Sequence, residues 1–138
     1  MDAEAAVATL EKARTQVAKE DAQNVEFSIA DGPALTFLDD MTFDVVHAHQ
    51  VLQHVNDPAR LLSEMRRVIR PGGIVATRSW DDGTIMVHPP SERIAKTHEV
   101  FRRVMEDWGR EFKAGRNPHT WVCKAGFEPS GIRVTSSN

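Results

Sequence analysis

Apolar and polar residues recur along this chain with two periods. Ala3, Ala6, Val7, Leu10, Ala13 and Val17 share one stripe, with Glu4, Glu11, Lys12, Lys19 and Glu20 elsewhere. That is the repeat of an amphipathic helix, expected over residues 3–20. Acidic residues lie in its first turn and basic residues toward its end, as the helix dipole prefers. Residues 21–24 are a polar connection. Val25, Phe27 and Ile29 then alternate with Glu26 and Ser28, which predicts a strand over 25–30. Asp31-Gly32-Pro33 reads as a turn, Leu35, Phe37 and Leu38 as a small apolar patch, and Asp39-Asp40 as a second turn.

The middle of the chain carries the strongest pattern. Residues 43–48 are a short apolar run rich in β-branched side chains, which predicts a buried strand. Asp57 is placed to cap a helix, and Pro58 sits at the first helical position, where its missing N–H costs nothing. Leu61, Leu62, Met65, Val68 and Ile69 follow at helical spacing until Pro71-Gly72-Gly73, where the helix is expected to stop. Residues 74–80 resume as a strand. Strand, helix and strand make a βαβ unit, whose two strands must lie parallel.

Beyond Trp80, Asp81-Asp82-Gly83 reads as a turn, and Pro89-Pro90 bars a helix or a central strand. Ser91 is placed to cap a helix over 92–108 with Ile94, His98, Phe101, Met105 and Trp108 facing inward. Asn117-Pro118 opens a last short helix, with Trp121, Val122 and Ala125 on its inner side and Gly126 at its end. Residues 132–136 are expected as a closing strand.

Composition narrows the function classes. A length of 138 residues suits one domain with a real core. The net charge of −3 disfavours a nucleic-acid or anionic-membrane partner, since both need a basic face. The single cysteine, Cys123, excludes an internal disulfide and any cysteine zinc site. No apolar run approaches membrane-spanning length, and no signal-peptide core opens the chain, so a cytoplasmic protein is expected.

The stretch FDVVHAHQVLQHV, continued by DP, LLSEMRRVIR and PGGIV, resembles the second half of a class I S-adenosylmethionine-dependent methyltransferase. Its nearest flavour is the methyltransferase type 11 domain of ubiquinone and menaquinone biosynthesis enzymes. GRNPHTWVCKAGFEPSGIRV resembles the end of the same fold, so the likeness covers nearly the whole chain. It implies an α/β, Rossmann-like sheet, with S-adenosylmethionine as cofactor and a small molecule as methyl acceptor. The family opens with a strand and a GxGxG turn that lets backbone approach the methionine part of the cofactor, and this sequence has no GxGxG. Residues 1–138 are therefore expected to be an incomplete, N-terminally truncated methyltransferase domain lacking its first two strands. Either the 25–30 strand slides over to pair with the 43–48 strand, or a homodimer mate or partner chain covers the open sheet edge, or the chain is a truncated product that folds poorly.

The resemblance also implies site residues. Asp31 would accept from the adenine amino group, and the Gly32 N–H would reach the ring; the plain alternative is a turn that favours Asp-Gly. Asp2 is the only candidate for the ribose hydroxyls. Ala48, His49 and Gln50 close the predicted strand at the carboxyl end of the sheet, where ligands of open α/β folds bind; there they border the sulfonium or cap the next helix. His54 is a general-base candidate or a packed, hydrogen-bonded histidine. His47, His49 and His54 cluster in sequence, but no carboxylate completes a metal signature, so no metal is expected. Trp80 has the best claim of the three tryptophans to a pocket mouth. Arg116 and His119 either contact substrate or anchor a helix start. Asp39-Asp40, Asp81-Asp82 and Arg66-Arg67 read as solvated surface.

Methyl transfer from a sulfonium is mostly positioning, so the lack of a catalytic triad is neutral. The competing class is a non-catalytic methyltransferase-like remnant serving as an interaction module. A nucleotide-binding oxidoreductase ranks last, because it needs the same missing glycine turn.

Overall fold

The computed structural model describes residues 3–30, 34–84, 87–109 and 114–135. The chain divides into two compact units, Met1–Asp31 and Gly32–Asn138. In the first, helix α1 spans Ala3–Lys19. Leu10, Ala13 and Val17 are half-buried, as the stripe requires, while Val7 stays exposed. Residues 25–30 are not a strand, contrary to the alternation. The only strand pairing among the described residues joins two other segments, so their backbone finds no ladder. Val25 and Phe27 instead line a shallow cleft with Arg14, Val17, Ala18 and Ala22 of this unit.

The second unit is built on the predicted βαβ. Strand β1 covers Phe43–His49, helix α2 Pro58–Val68 and strand β2 Ile69–Arg78. The two strands pair in parallel, with Val45 opposite Ile74 and His49 opposite Arg78. This is the α/β class and the strand direction that the sequence implied, in a Rossmann-like sheet reduced to two strands among the described residues. Asp57 caps α2 by accepting from the Arg60 N–H at 3.0 Å.

The glycine turn behaves differently from the expectation. Helix α2 ends at Val68, and Ile69 is already extended, with ψ 141°. The residue before a proline avoids helical backbone, which sets the stop at Arg70 or earlier. Residues 70–73 then lie opposite the single residue Asp44, with Gly72 at φ +83°. At Gly73 the two chains nearly touch. A β-carbon there would stand 2.8 Å from the Asp44 carbonyl oxygen and 2.6 Å from Ile69 Cγ1.

The core gathers Ala48, Leu52, Leu61, Leu62, Met65 and Ala125, with Leu35, Val46, Val75, Trp121 and Val122 packed against it. Helix α2 thus sits between β1 and helix α4, Pro118–Lys124, whose inner face is the one predicted. The 43–48 run is less buried than its composition suggests, since Ala48 is the one buried residue of β1 and Val45 is 60% exposed.

Helix α3 spans Glu92–Asp107 and begins where expected, but it buries no residue. Ile94, Phe101 and Trp108 are 47%, 49% and 67% exposed, so the predicted inward face is not covered by the described residues. Residues 132–135 are irregular rather than a strand, and their backbone joins no ladder. No helix among the described residues is long and apolar enough to cross a membrane.

Candidate functional site

The carboxyl ends of β1 and β2 meet at one place. The Gln50 N–H donates to the Arg78 carbonyl at 2.7 Å, extending the ladder by one bond. Gln50 itself adopts φ +57° and turns the chain into the short helical turn Leu52–His54. Ala48 is buried against Leu52, while His49 is exposed. Gln53 is buried, and its Nε2 donates to Gln50 Oε1 at 2.5 Å. Its own Oε1 is buried with no hydrogen-bond partner among the described residues. A buried orphan acceptor is costly, and it marks a place where a ligand's N–H or O–H is welcome.

The histidines of this region divide. His47 and His49 stack side by side on one face of β1, ring centroids 6.0 Å apart at 14°. No group of three metal-ligating side chains occurs among the described residues. His54 is exposed on its turn, Leu52–His54. Asp2, Asp31 and Gly32 lie outside the described residues.

The chain that follows Pro33 is tied down by α2. Glu64 Oε2 accepts from the Leu35 N–H at 3.1 Å and from Arg67 Nη2 at 3.0 Å. Arg67 in turn donates to the carbonyls of Leu35 and Leu38, both at 2.9 Å, and pairs with Asp40 at 2.6 Å. The Arg67 hydrogen bond, helped by the Leu35 N–H and opposed by partial burial, holds the Glu64 carboxyl below the usual range. Bonds to Glu64 and Asp40 push the Arg67 guanidinium upward. Arg67 is therefore the centre of a loop clamp rather than a solvated charge, while Asp40 pairs with it from an exposed position. A Glu and an Arg three apart on a helix signal a pair; nothing local signals that the pair reaches carbonyls some thirty residues earlier.

A second polar cluster lies just past the carboxyl end of β2. Asp81 Oδ1 accepts from the Gly83 N–H at 3.0 Å, and its Oδ2 pairs with Arg116 Nε at 2.7 Å. Asp82 Oδ2 lies 2.5 Å from His98 Nε2, with side chains 12% and 35% exposed. Asp81-Asp82 is thus enclosed, contrary to the surface reading, because Arg116 and His98 arrive from distant segments to cover it. The Gly115 N–H also donates to the Trp80 carbonyl at 2.9 Å, and a β-carbon on Gly115 would strike the Asp81 backbone N at 2.7 Å. Arg116 therefore anchors a turn. Trp80 is 58% exposed beside it. His119 is exposed on α4, with both ring nitrogens 3.9 Å from Cys123 Sγ.

Of the candidate residues, Ala48, His49 and Gln50 come together at the strand end, with His54 one turn further on. Gln53, Glu64, Asp82 and His98 are the polar groups that the sequence reading did not assign to a site.

A family profile described as "Methyltransferase domain" matches residues 2–77. Among curated proteins, an uncharacterized methyltransferase of Schizosaccharomyces pombe is 32% identical over 119 residues, 86% of this chain and 42% of that protein. An uncharacterized 37.1 kDa protein in a transposon of Streptomyces fradiae is 35% identical over 102 residues, 72% of this chain and 28% of that one. A demethylmenaquinone methyltransferase of Staphylococcus epidermidis is 30% identical over 105 residues, 76% of this chain and 41% of its own. The chain spans less than half the length of these relatives.

Proposed function

The chain belongs to the methyltransferase domain family, and from that premise we propose that it serves methyl transfer from S-adenosylmethionine to a small-molecule acceptor. The observation that carries this reading is the parallel β1–β2 pair, bridged by α2 and ending in a turned, partly buried carboxyl edge. Open α/β sheets hold their ligands at that edge. S-adenosylmethionine is the family's methyl donor, and it supplies a methyl carbon on a positively charged sulfur.

The residues present fit one half of that cofactor. Ala48 is small and buried, Gln50 turns the backbone away, and the orphan Gln53 Oε1 stands ready for a donor from the adenosyl part. The glycine turn for the methionine part is not in the sequence. In this reading Asp31 and Gly32 hold the adenine, and Asp2 is the residue left for the ribose. Ala48, His49 and Gln50 border the sulfonium, and His54 stands by as a base. The Glu64–Arg67 clamp fixes residues 35–40, the segment leading from the adenine turn into β1.

Isothermal titration with S-adenosylmethionine tests the proposal. A micromolar dissociation constant supports it, and Asp31→Ala then weakens binding by about tenfold, the worth of one charge-assisted hydrogen bond. No heat at millimolar ligand overturns it and leaves a methyltransferase-like module with another role.

A further inference from the structure

The carboxyl ends of β1 and β2 hold two buried polar atoms that no described residue satisfies, Gln53 Oε1 and Ser79 Oγ. Gln53 is only 9% exposed. We propose that these two groups form an uncharged subsite for a ribose hydroxyl of the methyl donor's adenosyl part, with Gln50 as the residue that positions Gln53. The subsite deepens the methyl-transfer reading and rests on it.

Backbone and side-chain bonds bring the pair to one place. The Gln50 N–H reaches the Arg78 carbonyl at 2.7 Å, and Ser79 is the next residue after Arg78, the end of β2. Gln53 Nε2 donates to Gln50 Oε1 at 2.5 Å. Gln53 and Ser79 are therefore joined through two hydrogen bonds and one peptide link. The turn between them is held rather than relaxed, since Gln50 sits at φ +57°, backbone that residues other than glycine seldom adopt. The bond to Gln50 also orients the Gln53 amide: its N–H is engaged, and its oxygen is the free end. Buried polar atoms without partners are costly and few in folded chains, so two at one sheet end mark a place for a ligand.

The chemistry of the pair selects the ligand group. An amide oxygen only accepts, whereas a serine hydroxyl both donates and accepts. Neither is charged, so an ion brought there loses its water without gaining a counter-charge. The group that fits is a neutral donor for Gln53 with an oxygen beside it for Ser79. In the adenosyl part the neutral donors are the adenine amino group and the two ribose hydroxyls. The reading above gives the amino group to Asp31, which leaves the ribose. A vicinal diol suits the pair, since one hydroxyl donates to Gln53 Oε1 while a diol oxygen accepts from Ser79 Oγ. Asp2, the carboxylate that the sequence offers for the same hydroxyls, is the competing assignment.

The test is isothermal titration of the full chain with adenosine, 2′-deoxyadenosine and 3′-deoxyadenosine. Adenosine is expected to bind about tenfold more tightly than at least one deoxy analogue, the worth of one buried hydrogen bond. Gln53→Met, close to glutamine in shape but without the amide, erases that preference and leaves the weaker analogue's binding unchanged. Ser79→Ala reduces the preference, and it carries the test should Gln53→Met fail to fold in a circular dichroism melt. Asp2→Asn leaves the preference intact. Equal binding of the three nucleosides, or no binding of adenosine at millimolar concentration, overturns the proposal. So does a preference that survives Gln53→Met, or Ser79→Ala where that variant carries the test, and so does one that Asp2→Asn alone erases. The S-adenosylmethionine titration decides the methyl-transfer reading separately: heat there with equal nucleoside affinities removes the subsite and keeps the reading.

Discussion

Helices α2 and α3 begin alike. Each has a short polar residue at its N-cap, Asp57 in one and Ser91 in the other, and each carries an apolar stripe at helical spacing. They end up in opposite conditions. Leu61, Leu62, Met65 and Val68 of α2 are all buried, whereas α3 buries nothing. The difference is not in the helices. Helix α2 is pinned from three directions: by the β strands on either side of it in sequence, by α4, and by the loop that Glu64 and Arg67 grip. Helix α3 has the His98–Asp82 contact with the turn after β2. Periodicity says which face of a helix is apolar, and only long-range topology says whether that face is covered.

The most severe way to break the comparison is to truncate the same kind of side chain in both helices. Leu62 is fully buried, so Leu62→Ala should cost about 2–5 kcal/mol, enough to unfold a marginal domain. Ile94→Ala, on a half-exposed position, should stay within about 1 kcal/mol. Urea denaturation followed by far-UV circular dichroism checks both. Similar losses at the two sites would mean that α3 packs its apolar face after all.

A smaller effect tests how β2 is held against β1. Gly73→Ala forces a β-carbon into the Asp44 carbonyl and the Ile69 side chain and should cost about 1–3 kcal/mol. Gly72→Ala meets no atom but must keep φ +83°, so its cost is about 1–2 kcal/mol, from backbone strain alone. A Gly72 variant losing more than the Gly73 variant in the same denaturation would show that the close approach is not what fixes the pairing.

The clamp on α2 has a pH signature. Glu64 titrates below its unfolded value of 4.5 because Arg67 and the Leu35 N–H bind the carboxylate. A depressed carboxyl stabilises the fold above the unfolded value, and that stability is lost as pH falls through the lower folded value. Glu64→Gln should therefore lose about 1 kcal/mol near neutrality, after solvent screening, and converge on the parent at low pH. A pH series of melting temperatures reads the convergence; parallel curves would rule the clamp out as a source of stability.

How much of this was legible in the sequence follows the same division. Asp57-Pro58, the Leu61–Val68 stripe and the apolar run before them specify β1, α2 and β2 locally, and the parallel pairing follows from chain connectivity. The 25–30 and 132–136 segments alternate as strands do, but a strand exists only with a partner, and alternation cannot supply one. Ala48, His49 and Gln50 could be placed at the strand's end from the sequence because a strand's end is a local feature. Gln53 was missed because a buried amide in a one-turn helix has no periodic signature. Asp82 and His98 were missed because their partnership spans sixteen residues and two elements, and each alone reads as surface or core.

The least of the expected effects sharpens the comparison at its starting point, the caps. Asp57 accepts at 3.0 Å from the Arg60 N–H, and its carboxylate also faces the positive end of the α2 dipole. Ser91 accepts from the Ile94 N–H at 3.5 Å, a long bond with no formal charge. Asp57→Ala should then cost about 1 kcal/mol. Ser91→Ala should cost no more than about 0.5 kcal/mol, because the bond it removes is weak and α3 is not part of the cooperative core. Amide hydrogen exchange separates the two consequences. Loss of the Asp57 cap should lower protection throughout α2 and the strands beside it, since they unfold as one unit, whereas loss of the Ser91 cap should raise exchange within α3 only. If the Ser91 variant loosened β1 and β2 as well, α3 would belong to the same cooperative unit as the core, and the division between a pinned helix and a tethered one would fail.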